Sequence, residues 1–185
     1  SFSGLMASGL LNVVGEHMNG LQIAGIANIT ASKLNGVQIA LCNYATQARG
    51  LQIGLVNYYK EDMKGFQLGL VNANPDTRVQ MMVYGGNTTP ANIGVRFKNQ
   101  LFYTILGIGS MYQGLNDKFS ASASYRAGLS FTLYKGLSIS GDLGYQHIEA
   151  FDNKDEVIPK RLYALQARAN LEYQFTRKFG IFATG

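Results

Sequence analysis

One cysteine, three prolines and a charged fraction of 15% are the scarcities of this 185-residue chain, and each of them excludes something. A lone Cys42 can close no internal disulfide. With two histidines and no Cys-x-x-Cys pair, no metal cluster and no cofactor are expected. The charge lies well below the roughly 25% of an ordinary soluble domain. Scarce proline beside 46% hydrophobic residues argues against disorder. Mean hydropathy is −0.01, and no apolar run approaches the ~18 residues of a membrane helix, which excludes a helical membrane protein. Residues 1–14 lack the basic start and unbroken apolar stretch of a signal peptide. The sixteen Lys and Arg, net charge +5, are scattered along the chain, so no nucleic-acid partner is expected.

Glycine (22), tyrosine (11) and phenylalanine (10) are plentiful, and the glycines open an internal repeat. GLMASGLLN (4–12), GLQIAGIAN (20–28), GVQIALCN (36–43), GLQIGLVN (50–57) and GFQLGLVN (65–72) start 16, 16, 14 and 15 residues apart. Within a copy, Leu51, Ile53 and Leu55 alternate with Gln52, Gly54 and Val56, the period of a strand. Each copy therefore predicts one strand. The polar stretches between copies, such as 46–49 and 60–64, are too short for a helix and its loops, which excludes a helical solenoid.

The second half drops the repeat and keeps the alternation. From 119 to 133 and from 163 to 175 the odd positions are Tyr, Phe, Leu or Ala, and the even ones are nearly all polar or glycine. Arg96, Lys98, Arg126, Asp142, Arg168 and Glu172 all fall on even positions. Apolar stripes opened and closed by aromatic residues, backed by a polar face, are the pattern of transmembrane strands around a polar lumen. Ten tilted residues cover roughly 23 Å, close to the ~25 Å apolar band of an outer-membrane barrel.

The expected strands are 3–14, 20–30, 36–45, 50–59, 65–73, 79–86, 92–99, 101–113, 119–134, 137–151, 161–176 and 179–185. The fold class expected is all-β: one antiparallel transmembrane barrel of about 12 strands over 1–185, with a parallel β-solenoid as the alternative for the repeat half. The last strand carries no terminal aromatic anchor, so the C-terminus is expected to be trimmed.

The run GLQIGLVNYYKEDMKGFQLGLVNANPD (50–76) resembles the GLQIGLVN-type repeats of a surface-repeat family found in Bacteroidota, spirochaetes and other diderm bacteria, and the resemblance covers about residues 4–72. The resemblance implies an outer-membrane location and a β fold. It carries over no catalytic or ligand residue. Repeats one and three depart from the unit, with Met6 and Ala7 in place of Gln and Ile and with Cys42 in the Val position.

Candidate sites are few. His147 near serines is a weak match to a hydrolytic rim site, and His17 lies in an apparent turn. Glu61, Asp62, Asp152, Asp155 and Glu156 lie in solvated stretches, and 152–156 lacks the ligand spacing and central glycine of a calcium loop. Gly54, Gly69 and Gly128 inside strands would leave lumen space for Gln22, Gln38, Gln52 and Gln67 to fill with a hydrogen-bonded network. With Arg96, Lys98, Arg126, Asp142, Arg168 and Glu172 they make up the expected polar lumen.

Around Tyr134, Lys135 and Gly136, a three-residue loop would pair Leu133 with Leu137, so that paired numbers sum to 270. Arg126 then lies opposite Gly144 and Asp142 opposite Gly128, a diagonal ion pair with glycines leaving it room.

The leading functional expectation is a non-enzymatic structural, accessory or surface component of the bacterial outer membrane. Its partners would be the lipid bilayer and other outer-membrane or periplasmic proteins. Alternatives are a narrow anion-leaning pore, a solenoid adhesin whose coils stack Asn28, Asn43, Asn57 and Asn72, and an outer-membrane hydrolase.

Overall fold

Glycines that recur every 14–16 residues stack on one another in a parallel register, and that register defines the first half of the molecule. The computed structural model describes residues 1–86, 89–99, 101–113, 118–152, 160–176 and 179–185, and every regular element among them is a strand. The chain divides into two compact units, Ser1–Thr77 and Arg78–Gly185, called here the coil unit and the sheet unit.

The coil unit holds β1 (Phe2–Ser8), β2 (Leu11–Val14), β3 (His17–Ala24), β4 (Ala27–Ile39), β5 (Cys42–Ile53), β6 (Val56–Leu68) and β7 (Val71–Ala73). All their pairings are parallel, β1-β3-β4-β5-β6-β7 with β2 on β4. Equivalent residues stack, so Gly20 pairs with Gly36, Gly36 with Gly50 and Gly50 with Gly65. The five opening glycines have φ between 125° and 146°. A Cβ on Gly36 would lie 1.9 Å from the carbonyl oxygen of Gly20, so both conformation and space demand glycine. Unequal repeat lengths are absorbed where the register shifts, between Thr30 and Lys33 and between Ala45 and Gln47.

This arrangement corrects the expected barrel. Parallel stacked coils suggest a β-solenoid, the alternative for the repeat half, and the repeats are not antiparallel staves of a wall. The breaks fall inside the motif, at Gly25-Ile26, Ala40-Leu41, Gly54-Leu55 and Gly69-Leu70, whereas a polar stretch such as 60–64 lies within β6. Gly54 and Gly69 are therefore turn residues, where a Cβ would meet backbone carbonyl oxygens at 2.2 Å and 2.3 Å.

The sheet unit is an antiparallel meander of β8 (Arg78–Tyr84), β9 (Ala91–Asn99), β10 (Phe102–Gln113), β11 (Lys118–Tyr134), β12 (Leu137–Asp152), β13 (Lys160–Gln174) and β14 (Gly180–Thr184). It forms a half-barrel. Its two edges, β8 and β14, are not hydrogen-bonded to each other. Asn99 pairs with Phe102, so the segments either side of residue 100 are two antiparallel strands.

The β11–β12 hairpin turns at two residues, Lys135 and Gly136 (φ 83°), and pairs Tyr134 with Leu137 rather than Leu133 with Leu137. A bulge between Thr132 and Tyr134 absorbs Leu133. From Thr132–Ser138 to Lys118–Asp152 the paired numbers then sum to 270, setting Arg126 opposite Gly144 and Gly128 opposite Asp142. Outward positions such as Leu143, Leu165 and Ile181 are exposed, and Arg96, Arg126, Asp142 and Glu172 are buried.

Candidate functional site

The polar groups singled out in the sequence gather in two separate interiors. In the coil unit, Gln22, Gln38, Gln52 and Gln67 occupy one inward row. From Gln38 on, each Nε2 donates to the Oε1 of the glutamine in the preceding coil, at 2.8 Å for Gln38 to Gln22, Gln52 to Gln38 and Gln67 to Gln52, and the row ends where Gln22 Nε2 meets Met6 Sδ at 3.9 Å. Asn12, Asn28, Asn43, Asn57 and Asn72 form a second ladder with steps of 2.9–3.0 Å. The same asparagine amides also cross the turn to backbone carbonyls, as Asn43 Nδ2 does to Ile53 O at 2.7 Å. Parallel stacking sets each residue on its own copy. An amide carries both donor and acceptor, so it is the polar group that can satisfy itself in such a stack.

The four glutamines therefore form the expected hydrogen-bonded network, but they do not line a water-accessible barrel lumen. Gln22, Gln38 and Gln52 have no exposed surface, and Gln67 retains 7%. Placing them in a lumen followed from taking the repeats as barrel staves, and the parallel register removes that premise.

The sheet unit brings the charges together. Arg96 on β9 meets Glu172 on β13 through two charge-assisted bonds, Nη1 to Oε2 at 2.8 Å and Nη2 to Oε1 at 2.6 Å, across 76 positions of chain. Arg96 Nε also donates to Gln80 Oε1 at 2.8 Å. Arg126 and Asp142 approach to 4.0 Å, an ion pair too long for a hydrogen bond. The Arg126 guanidinium lies instead 4.9 Å from the centre of the Tyr84 ring, and its Nε and Nη2 have no hydrogen-bond partner. Asp142 accepts from Tyr103 Oη and Asn170 Nδ2, both at 2.8 Å.

The glycines expected beside this pair serve it differently. A Cβ on Gly144 would come within 2.3 Å of Arg126 Cγ, so Gly144 leaves the arginine its path. A Cβ on Gly128 would strike Asp142 and the Tyr103 ring, both at 2.7 Å. Lys98 Nζ donates to Ser130 Oγ at 2.8 Å. Arg168 pairs in register with Asp142, yet its Nη2 goes to Gln166 at 2.7 Å.

Tyr103 was missed in the sequence, and Asn170 falls on the even, polar row of 163–175 without having been singled out. β10 turns its odd positions inward, opposite in phase to its neighbours, and Gly107 and Gly109 on that inward row were the available signal: a Cβ on either would meet an inner serine hydroxyl at 2.7 Å. His147 lies on the outer side, 3.3 Å from Glu149 and 4.9 Å between ring centres from Tyr163. Ser122 and Ser124 alternate to the inner side, where they bond Gln146 and the Gly107 carbonyl. His147 and these serines therefore lie on opposite faces of the sheet. Asp155 and Glu156 lie outside the described residues.

A cavity of about 460 Å³ opens between the β8 and β14 edges, with Arg96 and Glu172 among its lining residues. Beside Tyr84 and Phe182, whose ring centres are 6.2 Å apart, the inner face closes up. The spaces left around Arg126 are about 10 Å³ each, room for about one water.

The class defined by this geometry is an all-β chain with a laddered parallel-coil unit and a charge-lined half-barrel. No family model matches the chain, and neither a curated protein nor a solved structure matches it.

Proposed function

We propose that the chain is a non-enzymatic structural component of a bacterial outer membrane, with the sheet unit contributing membrane wall. The observation that carries this reading is the inverted polarity of the sheet unit. Leu143, Leu165 and Ile181 expose 71%, 88% and 64% of their surface, whereas Arg126 and Asp142 expose 3% and 4%. Water-facing sheets bury the apolar face, and a wall in hydrocarbon presents it. The tyrosines Tyr145 and Tyr163, stacked at 6.0 Å on the outer side beside His147 and Glu149, suit a membrane–water boundary.

Open strand edges are costly in hydrocarbon, where each unpaired backbone group costs several kcal/mol. The β8–β14 seam therefore supports the role of an assembly component whose wall is completed by added strands. The chain should stay monodisperse only in detergent and should float with phospholipid vesicles on a density gradient. A detergent-free monodisperse chain that stays below the vesicles contradicts the proposal.

The pore reading rests on a different observation, the four cations Arg96, Lys98, Arg126 and Arg168 against Asp142 and Glu172. Anion-selective steps in a planar bilayer would favour it. A silent bilayer, in keeping with the closely filled space around Arg126, favours the structural role.

A further inference from the structure

From the second coil on, the inside and the outside of the strands that carry the glycine ladder exchange polarity at it. Just before it, the outward row reads Asn19, Asn35, Arg49, Lys64, and the inward row reads Met18, Leu34, Ala48, Met63, packed in an apolar cluster. Just after it, the outward row reads Leu21, Val37, Leu51, Phe66, and the inward row is the glutamine ladder. The return strands make the exchange on their outer side only, from Cys42 and Val56, through the stacked Tyr44–Tyr58 pair, to Thr46 and Lys60 further along the chain. Their inward row beyond the asparagine ladder is mixed, Val14 and Ala45 with Thr30, whose hydroxyl donates to Gln22 Oε1 at 3.0 Å.

A body in water keeps its apolar side chains inside along its whole length, and a body in hydrocarbon keeps its polar ones there. A strand that does one on each side of a fixed line is built to lie across the boundary between the two media. From the glycine ladder to the apolar turn is about five residues, roughly 16 Å of strand, against ~15 Å for half of a bilayer core. Ile26, Leu41, Leu55 and Leu70 occupy the tip of that turn and are exposed. A water-facing turn favours polar residues. The row immediately outside the line carries Arg49 and Lys64 and no carboxylate, which complements anionic headgroups, and the tyrosine pair stands at the line on the other face.

We infer that the coil unit is half-immersed in one leaflet of an anionic phospholipid bilayer, apolar turns inward, with the glycine ladder at headgroup level. This rests on the membrane reading above and assigns a second lipid-contacting surface to the chain. The amide ladders are what make the immersion stable, because they satisfy the polar interior where no water can.

Cys42 is the chain's single cysteine, exposed on the apolar side of the line, and provides a native probe. The full chain, carrying a nitroxide on Cys42, is reconstituted into vesicles of phosphatidylethanolamine and phosphatidylglycerol. Its relaxation by oxygen and by a water-soluble nickel chelate is compared with two variants in a Cys42→Ser background, Gln47→Cys on the polar corner and Leu143→Cys on the sheet unit. The expected result is an oxygen-to-nickel ratio several-fold higher at residue 42 than at residue 47.

Equal ratios at 42 and 47, whether both are water-exposed or both shielded, overturn the inference. If residue 143 still reports lipid in that case, the membrane reading of the sheet unit survives. If residue 143 reports water as well, both fall.

Discussion

The coil unit and the sheet unit both bury polar side chains, but by incompatible rules. Parallel stacking sets Gln38 between Gln22 and Gln52, so the interior must be built from groups that complement their own copies. Ions cannot do this, since a stack of one residue is a stack of one charge. The curled antiparallel sheet brings Arg96 to Glu172 and Arg126 towards Asp142, unlike residues from distant chain positions, and there ion pairs are possible. Topology therefore selects the chemistry of the buried polar groups, and substitutions in the two units should fail in different ways.

The largest effect is expected from Gly36→Ala, which forces an alanine into φ 140° and its Cβ to 1.9 Å from Gly20 O. A loss of about 5 kcal/mol, or failure to fold, should appear in denaturant unfolding followed by circular dichroism. Wild-type stability there would break the glycine-ladder account. Next is Arg96→Leu, which strands the carboxylate of Glu172 and should cost about 3–5 kcal/mol, most of it regained in the double variant with Glu172→Leu. Simple additivity would mean that the pair does not hold the curl together.

Gln38→Leu removes one rung and leaves a buried donor on Gln52 without its acceptor, for about 2 kcal/mol. Unlike Arg96→Leu, it has no single partner whose removal restores stability. A rescue by Gln52→Leu would erase the contrast between the units. The cycle Arg126→Gln with Asp142→Asn should show a coupling of about 1 kcal/mol, smaller than at Arg96–Glu172, because the ions stand 4.0 Å apart and Arg126 lies on the Tyr84 ring. Smallest is His147→Ala, on the outer side, within about 0.5 kcal/mol.

The sheet unit was legible in the sequence because antiparallel strands with two distinct faces write their alternation directly: 137–151 was expected and Leu137–Asp152 is found. The inward charges followed from parity, and the Arg126–Gly144 register followed from one hairpin. The loop itself was misjudged, since a bulge at Leu133 does the same service as a longer loop. The coil unit was read out of phase. Leu55 and Leu70 looked like strand interior because turns are ordinarily polar, and the polar stretch 60–64 looked like loop although β6 runs through it. Alternation has no direction, so it could not tell parallel neighbours from antiparallel ones. The near-even spacing of Asn43, Asn57 and Asn72, 14 and 15 residues, is the signal for stacked coils, but the antiparallel pattern of the second half outweighs it when one fold is sought for the whole chain. The candidate interior was legible as a set of residues and not as a place: the glutamines and the charges belong to different units.

In the proposed membrane wall the polar face of the sheet unit is inside and its apolar face meets lipid. The most direct test of this is a bimane fluorophore at each position of 163–173 in turn, in a Cys42→Ser chain reconstituted with brominated phospholipid. Quenching with a period of two is expected for such a wall, strong at residues 163, 165, 167, 169, 171 and 173 and weak at 164, 166, 168, 170 and 172. Uniform quenching, or strong quenching at the even positions, would contradict it.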